Sequence, residues 1–137
     1  MIQVKKVILA ESHVHIRPRG AAEFMPKDFS NAVKHGDTIV WDPCVDGILG
    51  GVGDQGKSSD HRGERHLDGD EVLYLISGAM RLALVHDDGS SAGEVAVGPG
   101  EAVIVPQGVW HRIIVDEPIR LMFFGGGRTE IREFATG

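Results

Sequence analysis

Short apolar runs alternate with turn residues along nearly the whole chain. They are Val4–Leu9, Asp37–Trp41, Val45–Leu49, Glu64–His66, Val72–Ile76, Met80–His86, Glu94–Val97, Ala102–Val105, Trp110–Val115 and Ile119–Phe124. Few are long enough for a helix and several are rich in β-branched residues, so the pattern predicts many brief strands. Asp87-Asp88-Gly89-Ser90 predicts a hairpin turn between two of them. Gly98-Pro99-Gly100 and Pro106-Gln107-Gly108 bracket Glu101–Val105 as a strand with a turn at either end. One helix of about two turns is expected around Pro26–Lys34, after the proline. Gly50–Ser59 is polar, glycine-rich and without periodicity, and is expected to be a mobile loop. The architecture that accommodates these elements is all-β, with closed or double-layered sheets.

At 137 residues the chain suits one core, and a single domain over residues 1–137 is expected, without repeats or linkers. Nineteen glycines and six prolines fit a chain of short strands and tight turns. The formal charge of −6, with basic residues scattered singly apart from Lys5-Lys6, argues against a nucleic-acid partner. Cys44 is the only cysteine, which excludes an intrachain disulfide and suits a reducing compartment; it reads as a small buried or half-buried hydrophobe. Val7-Ile8-Leu9-Ala10 is too short for a signal-peptide core, and no run approaches membrane-spanning length. A cytoplasmic protein with no membrane partner is expected.

Two motifs do not survive their context. Gly51-Val52-Gly53-Asp54-Gln55-Gly56-Lys57-Ser58 matches GxxxxGK[ST] and contains GxGxxG, but the following Ser59-Asp60-His61-Arg62-Gly63 has no helical apolar face to present amides to a phosphate. His13-Val14-His15 places two imidazoles on one face of a strand. With no carboxylate at a matching spacing and Pro18 close behind, they read as solvent-facing histidines on an edge strand. His35 and His86 stand beside turn residues and read as surface histidines.

The informative stretch is Glu64-Arg65-His66-Leu67-Asp68-Gly69-Asp70-Glu71, matched some forty residues later by Pro106-Gln107-Gly108-Val109-Trp110-His111. Residues two apart on a strand share a face, so Glu64 and His66 point the same way. Asp68-Gly69 turns the chain, Glu71 can return to the same interior, and His111 opens a third strand. Imidazole with carboxylate is a ligand set for Zn, Mn, Fe or Ni. His61 has the wrong parity and joins only through a bulge. By parity Leu73, Val109 and Ile113 lie near the site, and Trp110 points to the opposite face. Trp41, Phe24 and Phe123 are further candidates for the mouth.

These segments resemble the cupin family. Its first motif, G-x5-H-x-H-x3,4-E-x6-G, is followed from its second histidine as His66-x4-Glu71-x6-Gly78. Its second, G-x5-P-x-G-x2-H-x3-N, is followed as Gly100-x5-Pro106-x-Gly108-x2-His111. Both lie within residues 60–115. Three positions depart: Ser58 stands for the opening glycine, Glu64 for the first histidine and Val115 for the closing asparagine. The resemblance implies a small double-stranded β-helix, or jelly-roll, barrel, often a homodimer, with one divalent metal at its mouth on His66, Glu71 and His111. Glu64 is then either a fourth ligand or, beside an open triad, a general acid or base. Metal chemistry of oxygenase or isomerase type on a small molecule is one expectation. A non-catalytic barrel that binds or senses a sugar or other small molecule is the alternative.

Overall fold

The structure is a computed structural model that describes residues 2–43 and 46–133. Eleven strands form one antiparallel sheet that curls into a barrel, and there is no helix among the described residues. The strands are β1 (Ser12–Ile16), β2 (Ala22–Pro26), β3 (Val33–His35), β4 (Thr38–Trp41), β5 (Ile48–Gln55), β6 (Gly63–His66), β7 (Glu71–Val85), β8 (Ser91–Val97), β9 (Ala102–Val105), β10 (Trp110–Gly125) and β11 (Thr129–Arg132).

Two long strands organise the barrel. Val72–Ile76 and Met80–His86, expected as separate strands, join across Gly78 into β7; Trp110–Val115 and Ile119–Phe124 join into β10. The two pair along their whole lengths, with register shifts between Val115 and Leu121 that bend both. At one end β10 also pairs with β6, and at the other with β5, so the sheet must wrap around its own inner face. That face carries the core of Leu73, Leu75, Met80, Leu82, Val97, Val105, Ile113, Ile119 and Leu121. The Asp87–Ser90 turn forms as expected, closed by His86 N–H donating to Ser90 O at 2.9 Å.

Four expectations are corrected. Val4–Leu9 is not a strand: Val4 is 90% exposed and the segment finds no sheet edge to pair with. Pro26–Lys34 is not a helix. Pro26 ends β2, Asp28 Oδ1 accepts from the Ser30 amide at 2.9 Å in a tight turn, and Val33 already pairs with β4. Much of Gly50–Ser59 is not a loop but β5, paired on both sides by β1 and β10. Two of its glycines mark close packing, since a Cβ on Gly50 would stand 2.8 Å from the Phe124 ring and one on Gly51 2.9 Å from the Phe123 ring. Finally, β1 is not an edge strand. It lies between β2 and β5, and His13 and His15 are buried, while His35 and His86 are exposed. The run expected at Val45–Leu49 begins at Ile48 among the described residues; Val45 and Cys44 lie outside them.

Candidate metal centre

Strand alternation positions the site. On β6, Glu64 and His66 face inward, while Arg65 turns outward to stack over Trp110 at 4.5 Å, with Arg132 4.0 Å from the same ring. Trp110 is therefore packed on the face opposite the site, as parity predicts. His111 pairs with Glu64 across β6 and β10, and Thr129 pairs with His66 across β6 and β11. Glu71 enters as the first residue of β7 after the Leu67–Asp70 turn. Asp68 pins that turn by accepting from the Arg128 backbone at 2.8 Å and its Nη2 at 2.7 Å, and these hydrogen bonds, with the Arg128 charge behind them, hold the Asp68 carboxyl below its ordinary range. Asp70 accepts from the Gln107 amide at 2.8 Å, tying the first motif's turn to the second's.

Glu64, His66, Glu71 and His111 each offer one ligand atom, and the four atoms lie within 4.8 Å of one another. The structure thus brings together the four residues singled out from the sequence. His61 lies in a bend before β6, outside this group. His111 is fully buried, and Glu71 and His66 nearly so; Glu64 is the most open, with 24% of its side chain accessible.

Each imidazole is oriented through its other nitrogen. His111 Nδ1 donates to the Val109 carbonyl at 2.9 Å, and His66 Nδ1 meets Thr129 Oγ1 at 3.0 Å. Gly126 permits this packing, because a Cβ there would press on the His66 ring at 3.0 Å. Both Nε2 atoms then point into the shared space. Glu71 Oε2 is 2.9 Å from His66 Nε2, and Glu64 Oε1 is 3.4 Å from His111 Nε2. Yet neither Nε2 has an aligned hydrogen-bond partner, though both atoms are buried. Close carboxylates off the line of the ring nitrogen are poor hydrogen-bond partners but fit a cation standing between them.

The charge balance points the same way. One buried and one half-buried carboxylate with two neutral imidazoles carry −2 and need compensation. Without an ion the proton on His111 supplies part of it. Burial works against that proton, but Glu64 and Glu71, with the Val109 carbonyl, outweigh it and push the pKa up to about 10. Burial likewise opposes the Glu71 charge, and His111 and His66 outweigh it to hold the carboxyl below its ordinary value. A divalent ion would displace the proton and neutralise the set.

A cavity of about 290 Å³ adjoins the four residues and is lined by Glu64, His66 and Glu71 at one end. Leu73 and Ile113, placed near the site by parity, line it, as do Trp41 and Phe123. Val109 instead packs against the core, and Phe24 is on the outside of the sheet. His13 and Phe29 also line the cavity, where neither was expected. The available signal was the alternation in Ser12–Ile16, which puts His13 and His15 on one face; what it lacked was the knowledge that this face is the inner one.

A β-barrel holding imidazole and carboxylate groups at one end of a small apolar cavity defines the class of this protein. Residues 54–125 match the family model described as the cupin domain, more than half of the chain, and the chain belongs to the cupin family. Acireductone dioxygenase of Danio rerio is 38% identical over 52 residues, which is 38% of this chain and 28% of that protein. The chain thus spans under a third of this curated relative. The barrel is similar to oxalate decarboxylase of Lactobacillus farciminis in a formate complex, with a TM-score of 0.51 at 15% identity over 74% of this chain and 33% of that one. It is also similar to oxalate decarboxylase of Bacillus subtilis, with a TM-score of 0.50 at 18% identity over 72% and 28% of the two chains. These two likenesses support the fold.

Proposed function

We propose that this cupin binds one divalent transition metal (Fe, Mn, Zn or Ni) on His66, Glu71 and His111, with Glu64 as fourth ligand or acid–base group, and acts on a small molecule in the adjoining cavity. The observation that carries this reading is the convergence of two carboxylates and two buried Nε2 atoms without hydrogen-bond partners on one point. When bound, such an ion polarises a carbonyl or provides a site for O2. His66 and His111 present their Nε2 lone pairs because Thr129 and Val109 engage the other nitrogens. Glu71 supplies buried negative charge. Glu64 is the most accessible of the four and lines the cavity, so its carboxylate can take or return a substrate proton. The partial relative is a dioxygenase, which favours oxygenase over isomerase chemistry. Leu73, Ile113, Leu121 and Phe123 keep bulk water from the reacting end.

The test is elemental mass spectrometry on untagged protein purified without added metal. Wild type is expected to carry close to one equivalent of Fe, Mn, Zn or Ni, and His66→Ala to lose it. Wild type that arrives empty and takes up nothing on titration would leave a metal-free binding barrel and sink the enzymatic reading.

We also propose that the protein is a homodimer joined through the outer face of the sheet. Residues in register across β2, β1, β5, β10, β7 and β9 form a row of Phe24, Val14, Gly50, Phe124, Val72 and Ile104. Tyr74 and Ile48, in neighbouring rows, are 37% and 45% exposed, and Ile104 is 67% exposed. Six strands at their usual spacing and three rows make a face of about 30 by 20 Å. That is roughly 600 Å², at the lower end of the area each partner contributes to a stable interface. Light scattering after size exclusion should give twice the 14.8 kDa chain mass, and Tyr74→Lys with Ile104→Lys should give the single-chain mass. A wild type already at the single-chain mass contradicts the proposal.

A further inference from the structure

The cavity has a second end that the metal reading does not use. Phe29 and Trp41 stand with ring centroids 4.8 Å apart, and His13 lies 6.1 Å from Phe29, 6.0 Å from Trp41 and 5.8 Å from Phe123, edge-on to both phenylalanines. These four rings line the same cavity as Glu64, His66 and Glu71. They come from three separated segments, β1, the turn before β3, and β4, together with β10. Phe29 is 56% exposed, which puts it at the mouth.

His13 is the unusual member. It is only 4% exposed, and among the described residues it makes ring contacts but no hydrogen bond. Burial, and then the nearby charge of Lys27, lower its pKa, so the ring is neutral and offers one donor and one acceptor. A neutral imidazole lining an apolar cavity without a partner is a group waiting for one on a ligand.

We infer that the cavity takes a single-ring aromatic compound, its ring held among Phe29, Trp41 and Phe123, with a hydrogen-bonding substituent on His13 and an oxygen group directed to the metal end. The orientation of that oxygen rests on the metal reading; the preference for a ring does not. Size bounds the ligand: an apolar cavity of about 150 Å³ accommodates benzene, so about 290 Å³ holds one ring together with its substituents. Charge limits it further. No lysine or arginine lines the cavity among the described residues, so a second carboxylate far from the ion would have no cation. The carboxylates of Asp54, Glu64 and Glu71 line the same cavity and oppose a further negative charge on the ring. Aromatic walls favour a flat ring over a saturated ring of equal size.

The experiment is calorimetric titration of the full chain, metal-free and zinc-loaded, with 4-methylphenol and the size-matched 4-methylcyclohexanol. The phenol is expected to bind at least tenfold more tightly than the cyclohexanol in both metal states. Phe29→Leu, at a half-exposed position that tolerates the change, should bring the two within about threefold. His13→Phe, which keeps a ring in place, should weaken 4-methylphenol about tenfold and leave toluene unchanged. Equal affinity for the two probes, or binding of neither, overturns the inference, as does a phenol preference untouched by both substitutions. A protein that takes up no zinc yet keeps the preference removes the metal reading and supports the aromatic one.

Discussion

Gly78→Ala is expected to destabilise the fold by about 3–5 kcal/mol, enough to deplete the folded protein in cells. Gly78 has φ +90, a conformation that costs an L-residue about 1–2 kcal/mol by itself. The larger penalty is steric. A Cβ there would collide with the Pro118 carbonyl oxygen and stand 2.8 Å from its carbon and 2.9 Å from the Ile119 Cα. All three are backbone atoms of β10 and cannot swing aside. Relief would require moving β7 away from β10 at the bend on which both depend, next to Ile119 and Leu75 in the core. Denaturant unfolding of purified protein measures the loss, and a drop under about 1 kcal/mol would show that the bend yields easily.

The metal-free protein is expected to lose stability between pH 6.5 and about 10, and the zinc-loaded protein to keep it. His111 has its pKa raised from 6.5 in the unfolded chain to about 10 in the fold. Its proton therefore stabilises the fold fully below pH 6.5, and that contribution fades as pH rises through the folded value. The change is roughly 3–5 kcal/mol, counted once for the coupled set with Glu71. A bound cation replaces the proton, so the loaded protein has nothing to release over this range. Acid acts in the opposite sense on other groups. Burial lowers the pKa of His13 and of His61, so both favour the fold above 6.5 and oppose it as pH falls. Urea midpoints at pH 6.5 and 9.5, with and without zinc, make the measurement. A flat metal-free profile would mean that His111 does not carry the compensating proton.

The departures from the motif take on meaning in three dimensions. Ser58 and Val115, which replace a glycine and an asparagine, meet each other: the Val115 amide donates to Ser58 Oγ at 2.9 Å. Ser59 Oγ accepts from the Ile113 amide beside it at 3.3 Å. The segment that spells a phosphate-binding loop is therefore a strand followed by a side-chain seal on β10. Glu64, the remaining departure, keeps the place of the histidine it replaces, facing His111 across the strand pair.

By itself the sequence determined the barrel and the four converging residues. Strand parity, two turns with glycine or proline, and imidazole–carboxylate spacing are local properties, and they put Glu64, His66, Glu71 and His111 on one interior. Gly78 was legible too, as a letter of the motif, though the carbonyl it must avoid was not. Only the tertiary structure decided the rest. His13 looked like an exposed strand histidine because alternation names two faces without saying which is buried, and burial came from Phe29, Trp41 and Phe123 packing over that face. Phe29 looked helical because the pattern around it was ambiguous, and ring contacts with Trp41 and His13 took precedence over that propensity. Gly50–Ser59 looked mobile because glycine carries no apolar signal, whereas the rings of Phe123 and Phe124, some seventy residues away, are what make glycine necessary there. Each of these depends on a partner distant in the chain, and local pattern holds no information about such partners.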